Sequence, residues 1–276
     1  MNIKIRIRLI VSSILIVLLF SQFSLCISQQ TTSDFVIGDK ISFESKILNE
    51  KRIIVVIPPL NYKSHPDNKY PVVYVLDAGN NLFATHGIVS YYSKMLEIMP
   101  EMIIVGIVNK DRIRDFTPTA IKDYPNGGGA DNFIQFMGSE LSTYIDSVYP
   151  TSDYKCILGH SAGGLLAIYA LQTKPYLFDS FLVIDPSLWW NDLQCVKSTK
   201  DFFEKNDKLK KRLFISLSNE KDVGVYPFLG ELEKYAPNEF TWEFKHYKNE
   251  THNSLGHKSI CDGFEMIFSD WGNEKE

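Results

Sequence analysis

Gly159-His160-Ser161-Ala162-Gly163 sets one hydroxyl between two glycines. An apolar run, Cys156-Ile157-Leu158, precedes it, and the residues after it include Leu165, Leu166, Ile168 and Tyr169 with no proline. The pattern reads as strand, sharp turn, helix. In such a turn the serine takes a strained apex, and the small neighbours let strand and helix approach closely, so that Oγ stands clear of the sheet. That oxygen is placed to attack an acyl carbon, and the first N–H groups of the helix face the negative charge that would develop. The competing reading makes Ser161 the N-cap of an ordinary buried helix. What separates the two is whether the rest of the chain supplies partners.

A serine hydroxyl is a poor nucleophile until a base takes its proton, and six histidines are available. His160 adjoins the serine, but side chains alternate across a strand end, so it should point away. His246 falls in phase with Phe240, Trp242 and Phe244 on one strand face. His65 and His86 precede the turn, and His257 begins the closing helix. His252 remains, in the loop at 248–254 just past the last strand. Where a serine triad is built on an α/β sheet, the chain order is serine, acid, histidine, and His252 stands where that order wants the base. The acid is then expected in the loop at 218–222, which offers Glu220 and Asp222; Glu220, nearer the strand end, is the preferred candidate, to accept the imidazole Nδ1–H. Two backbone N–H groups complete the constellation as an oxyanion hole: that of Ala162, after the nucleophile, and one from the turn Asp77-Ala78-Gly79, with Gly79 preferred over Ala78.

The elements that must hold these residues follow from periodicity. Residues 34–48 and 51–58 read as an opening hairpin. Continuous apolar runs at 72–76 and 102–108 suit strands buried on both faces of a parallel sheet, and 82–98 between them has helical spacing. Residues 110–130 lack a period and contain Arg112, Arg114 and Gly127-Gly128-Gly129. A long loop on the ligand-binding edge of such a sheet suits substrate contact, which makes Arg114 a candidate, as do Trp189 and Trp190 just after the strand at 178–185. Helices at 131–148, 225–235 and 256–268 and strands at 213–217 and 240–247 complete the alternation. Strands alternating with helices, without repeat or linker, specify a single three-layer α/β domain over 29–276.

Composition narrows the partners. The chain has 276 residues, is 45% hydrophobic and 13% aromatic, and carries a formal net charge of −4 with no basic block, which argues against a nucleic-acid partner. Lys4, Arg6 and Arg8 precede an apolar run from Leu9 to Phe20 and then small and polar residues. That is the build of a secretory signal over 1–28, leaving a secreted or periplasmic protein with no stable membrane partner. Beyond Cys26 three cysteines remain; Cys195 and Cys261 are a pair that an oxidising compartment could bridge. No metal-ligand spacing is present, and the chemistry outlined above needs neither a metal nor an organic cofactor.

Taken together, Tyr70-Pro71-Val72-Val73-Tyr74-Val75-Leu76-Asp77, Arg114-Asp115-Phe116-Thr117-Pro118-Thr119, Gly159-His160-Ser161-Ala162-Gly163-Gly164, Pro186-Ser187-Leu188-Trp189-Trp190 and Glu250-Thr251-His252 before Asp262-Gly263-Phe264 resemble the esterase family of the α/β-hydrolase superfamily. That family includes enterobactin-type siderophore esterases, esterase D and the mycolyltransferases of the antigen 85 group. The resemblance runs from about residue 42 to 268. It implies an α/β-hydrolase fold, with a mainly parallel central sheet, an N-terminal antiparallel hairpin and helices on both faces. It also implies Ser161 as nucleophile, His252 as base and Ala162 with Gly79 as oxyanion donors, acting on a small-molecule or glycan-linked ester. The acid varies within the family, and Ser218 and Asn219 stand where relatives often have glycine. Two other functions share the fold: acyl transfer to an alcohol acceptor, and non-catalytic binding of a carbohydrate or siderophore.

Overall fold

Five runs of branched and aromatic residues, each buried on both faces, make the centre of one eight-stranded sheet in the computed structural model. The structure describes residues 34–271 except 61 and 222. The leader expected at 1–28 and the alternative acid Asp222 therefore lie outside the described residues. From Ile37 onward the chain forms one compact unit.

The strands are β1 (Asp39–Ser45), β2 (Glu50–Ile57), β3 (Tyr70–Val75), β4 (Ile103–Ile107), β5 (Thr151–His160), β6 (Ser180–Ile184), β7 (Arg212–Leu217) and β8 (Thr241–His246). Their spatial order is β1-β2-β4-β3-β5-β6-β7-β8. β1 pairs antiparallel with β2, and β2 antiparallel with β4, while every pairing from β4 through β8 is parallel. The opening hairpin, the mainly parallel sheet and the α/β-hydrolase architecture expected from the sequence are all present. A parallel strand can return only through a crossover, so the helices fall on the two faces. On one, α1 (Ala78–Lys94) and α8 (Gly256–Ile267) cover Val73, Val75, Leu158, Leu182 and Phe214. On the other, α3 (Ala130–Gln135), α4 (Ser142–Val148), α5 (Ala162–Thr173), α6 (Trp190–Lys205) and α7 (Val225–Tyr235) cover Val72, Tyr74, Ile157, Phe181, Val183 and Ile215. Neighbouring residues such as Val72 and Val73 belong to opposite cores because side chains alternate along a strand.

Three segments differ from the sequence reading. The helix expected at 82–98 begins at Ala78, because Asp77 alone makes the turn, in the left-handed conformation with φ 54° and ψ 48°. The aperiodic stretch at 110–130 contains a short helix, α2 (Arg112–Phe116), whose first turn is closed by the Asp111 side chain accepting from Arg114 N at 3.0 Å. Helix α6 fills residues to which periodicity assigned nothing, and its regular part follows a left-handed passage through Asn191, Asp192 and Leu193. A helix also runs through 130–148 as expected, but between α3 and α4 it widens into a π-helical turn, Phe136–Leu141, that sets Phe136, Met137 and Leu141 into the core.

Cys156, Cys195 and Cys261 are free thiols. Cys195 packs into the core on one face of the sheet and Cys261 against the core on the other, so the sheet itself separates the pair that composition had suggested could bridge.

The glycines give a direct test of this packing. A Cβ on Gly159 would lie 2.2 Å from the Gly163 carbonyl oxygen, whereas one on Gly87, inside α1, meets nothing within 4 Å. Gly87→Ala should raise stability by about 1 kcal/mol. Gly159→Ala should cost about 3 kcal/mol or prevent accumulation of folded protein. Thermal melts of the two variants beside the parent would show it.

Candidate active site

β5 delivers the chain to Ser161, and the geometry there explains the sequence around it. Ser161 has φ 60° and ψ −118°, a backbone conformation that a non-glycine residue adopts only when its surroundings force it. The forcing comes from contacts: Ser161 N donates to Ile184 O at 2.9 Å, and Ser187 N donates to Ser161 O at 3.1 Å. Gly159 passes against the Gly163 carbonyl, and Gly164 against Pro186, where a Cβ would come within 2.9 Å of the proline Cβ. Ser161 Oγ faces Ser187 Oγ at 3.4 Å. Ser161 is thus an apex residue rather than a capping residue; it makes no side-chain cap to α5.

His252 sits in a loop pinned on both sides. Asn219 N donates to Glu250 O at 2.8 Å, Leu255 N to Thr251 O at 3.2 Å, and Leu255 is fully buried. The Glu250 carboxylate is held by Ser254 Oγ at 2.7 Å and by Lys258. From this loop the imidazole Nδ1–H donates to Asp185 Oδ2 at 2.7 Å. Asp185 lies at the end of β6, 2% exposed, and its other oxygen accepts from Ser218 N at 3.0 Å. Burial alone would raise the Asp185 carboxyl, but the hydrogen bonds from His252 and Ser218 outweigh it and hold it below the usual carboxylate value. The same hydrogen bond to Asp185 raises His252 above 6.5 against the opposing effect of burial.

The acid partner of His252 is therefore Asp185, and the expectation of Glu220 is corrected. Glu220 is exposed and its backbone N–H donates to Ser218 Oγ at 3.2 Å; its charge reaches the imidazole only at long range. The loop after β7 contributes the Ser218 N–H that fixes the acid, not the acid itself. The signal was present in Ile184-Asp185-Pro186, an aspartate closing the strand beside the serine strand and lying between Ser161 and His252 along the chain. His160 is a second correction. Its ring lies 4.4 Å from that of His252, tilted by 35°, instead of pointing away. Burial, and then the His252 charge, push His160 down to about 4, so it is neutral wherever His252 works.

The turn after β3 packs against the first turn of α5, where a Cβ on Gly163 would meet Asp77 Oδ2 at 3.4 Å and Leu76 at 3.5 Å. Asp77 O receives Asn80 N and Asn81 N, so Ala78 and Gly79 have no acceptor within the helix. Ala162 and Gly79 thus both lie in the first turn of a helix. Arg112 spans the gap between the two turns: Nε donates to Asp77 Oδ1 at 2.9 Å and Nη2 to His160 O at 3.0 Å.

Two of the three expected substrate contacts fall elsewhere. Arg114 is committed to Glu50 at 2.6 Å and Asp115 at 2.7 Å, in a network with the fully buried Arg52. There Glu50, despite burial, is pulled down to about 2 by Arg114, Lys110 and Arg52. Trp190 is 2% exposed and donates Nε1–H to Thr119 O at 3.0 Å, which makes it a prop under the 117–129 loop. Trp189 is 41% exposed and, with the half-exposed Tyr124 at 6.4 Å, forms an aromatic shelf two residues from Ser187. Among the described residues His160, Asp185 and His252 bring ligand atoms within 4.8 Å of one another. The carboxylate there is already used by the imidazole and by Ser218 N.

With this geometry in hand, the sequence matches the family described as "Putative esterase" over residues 45–266. It is 31% identical over 192 residues to the ferri-bacillibactin esterase BesA of Bacillus subtilis, covering 62% of each chain. It is 28% identical over 169 residues to a siderophore triacetylfusarinine C esterase of Aspergillus fumigatus, covering 56% of this chain and 58% of that one. The matches thus span less than two thirds of those relatives. Among solved structures, an IroE-like serine hydrolase from Shewanella oneidensis superposes with a TM-score of 0.78 at 32% identity, covering 84% of this chain and 80% of that one. The BES protein from Bacillus cereus gives 0.75 at 25% identity, covering 87% and 97%.

A proton acceptor at His252 works only when neutral, so any turnover that uses it should rise with pH through a midpoint above 6.5. Asp185→Asn removes the partner that raises the imidazole: the midpoint should move down, and the rate should fall by about three to four orders of magnitude as the ring loses its tautomer. The stability effect has its own window. The raised His252 value contributes below 6.5 and is lost as pH rises through the folded value; the lowered Asp185 value contributes above 3.8 and is lost on acidification. Melts of Asp185→Asn should fall furthest below the parent between those limits.

Proposed function

We propose that this chain, which belongs to the "Putative esterase" family of the α/β-hydrolase superfamily, is an exported serine carboxylic ester hydrolase. The observations that carry the reading are the buried Asp185 receiving His252 Nδ1–H at 2.7 Å, the His252 ring 4.4 Å from that of His160, and the strained apex at Ser161, the next residue along. In the first half-reaction Ser161 Oγ attacks the acyl carbon as its proton passes to His252 Nε2. The carbonyl oxygen becomes an oxyanion received by the N–H groups of Ala162 and Gly79, and Asp185 stabilises the imidazolium. The intermediate collapses, the ester C–O bond breaks, and the leaving alkoxide takes the proton from His252. In the second half-reaction water attacks the acyl-enzyme, giving its proton to His252, which returns it to Ser161 as the carboxylic acid leaves.

A siderophore-type ester is the substrate class we favour. The support is twofold: the names of the relatives, a ferri-bacillibactin esterase and a siderophore triacetylfusarinine C esterase, and the exposed surfaces of Trp189, two residues along from Ser187, whose hydroxyl faces that of Ser161, and of Tyr124 beside it, which suit a ring-bearing ligand. Export rests on the basic, then apolar, leader over 1–28. Among the described residues no helix is long and apolar enough to cross a membrane.

Purified protein should release p-nitrophenol from a short-chain ester, with a burst matching acyl-enzyme formation. Ser161→Ala should lower turnover by about four orders of magnitude or more, and Glu220→Gln should cost less than about threefold. Comparable losses in Asp185→Asn and Glu220→Gln would overturn the assigned acid, and turnover surviving in Ser161→Ala would overturn the mechanism. A ferric trilactone siderophore tested beside acetylated xylan and a feruloyl ester distinguishes the substrate class.

A further inference from the structure

Asp77 is a carboxylate in an awkward place for the chemistry proposed above. It is 5% exposed, and Oδ2 lies 3.4 Å from the position a Cβ would take on Gly163, in the first turn of α5 next to Ala162. It also occupies the turn that carries the N–H groups of Ala78 and Gly79. An oxyanion received at Ala162 and Gly79 would therefore form close to a buried negative charge, and in a poorly solvated setting that repulsion is weakly screened. A residue chosen only to make the turn would not need the charge, since asparagine tolerates the left-handed conformation as well as aspartate does.

We infer that Arg112 is a positioning residue that cancels this charge and clamps the two halves of the oxyanion site together. Its guanidinium meets Asp77 Oδ1 through Nε at 2.9 Å and the His160 carbonyl through Nη2 at 3.0 Å. One rigid fork thus ties the turn after β3 to the residue that precedes the nucleophile, a geometry that the flexible point charge of lysine cannot reproduce. Asn109 Nδ2 donates to the same Asp77 oxygen, so the carboxylate cannot swing away to water without breaking both contacts. Arg112 is itself steadied over the Phe116 ring, 5.8 Å from its centroid, and is only about one third exposed. Its charge reaches both imidazoles and lowers their proton affinity. The inference rests on the esterase reading, because it concerns where the negative charge of that reaction forms.

A double-mutant cycle separates charge compensation from scaffolding. Arg112→Met should lower kcat for a p-nitrophenyl ester by about tenfold to a hundredfold, with KM changed less than about threefold, because the lost interaction matters most in the transition state. Asp77→Asn introduced into Arg112→Met should restore most of that loss, since the uncompensated carboxylate is gone. Arg112→Lys, which keeps the charge and loses the fork, should fall between the parent and Arg112→Met. Circular dichroism and melting temperature verify that each variant is folded; should Arg112→Met not fold, Arg112→Gln, which also removes the charge, with and without Asp77→Asn carries the same comparison. If the parent shows no Ser161-dependent turnover, the esterase reading is what fails. If turnover depends on Ser161 but Asp77→Asn gives no recovery in the Arg112 background, or if KM alone rises, the clamp is wrong.

Discussion

The close passage of Gly159 against the Gly163 carbonyl is the constraint on which the site depends. With any side chain at 159 the strand and helix would separate, and Ser161 would relax from φ 60°, ψ −118° toward an ordinary capping conformation. A strained residue persists only where its neighbours over-determine it. Here they do so from three sides, through Ile184 O, Ser187 N and the Pro186 ring against Gly164. Two of those three contacts come from the residues immediately beside Asp185, at the end of β6. The segment that holds Ser161 in place is the same one that carries Asp185, so the serine and the carboxylate are located by one piece of chain.

What could be read from the sequence, and what could not, divides along physical lines. The Ser161 turn was legible because its glycines are required by local backbone geometry, and local geometry leaves a local pattern. The strands β3 to β7 were legible because burial on both faces demands continuous apolar runs. His252 was singled out by order along the chain, and it is the imidazole that meets a buried carboxylate. Asp185 was not, because two adjacent parallel strands, β6 and β7, end on the same edge of the sheet and either end can reach an imidazole there. What decides between them is that Ser218 N, in the β7 loop, donates to the Asp185 carboxylate. No periodicity records a contact of that kind. The same holds for Arg112 and Arg114. They are two residues apart in one short helix, yet one turns to Asp77 and the nucleophile strand and the other to Glu50 and Asp115. Trp189 and Trp190 divide likewise into an exposed shelf and a buried prop.

His160 illustrates a different limit. Alternation across the strand end predicts that neighbours of an outward residue turn inward, but at Ser161 the strand has already left the extended conformation. The alternation therefore breaks where it was applied, and His160 comes to lie against the His252 ring. Its burial keeps it neutral, which matters because a second positive imidazole at 4.4 Å would oppose protonation of His252. The packing thus gives His252 a flat neighbour without giving it a competing charge.

The charges around the site close in pairs. Asp185 faces His252, Asp77 faces Arg112, and Glu50 with Asp115 faces Arg52, Arg114 and Lys110. Each pair largely cancels at a distance, so the field where an oxyanion would form is set by what remains, the N–H groups at the starts of α1 and α5. Backbone donors of this kind are already oriented and need no rearrangement as charge develops, which is the condition under which electrostatic stabilisation is most effective. On this view the carboxylates near Ser161 are tolerable because each is matched, Asp77 by Arg112 and Asp185 by His252. An unmatched carboxylate at Asp77 would act against the same two helix ends that the fold has brought together.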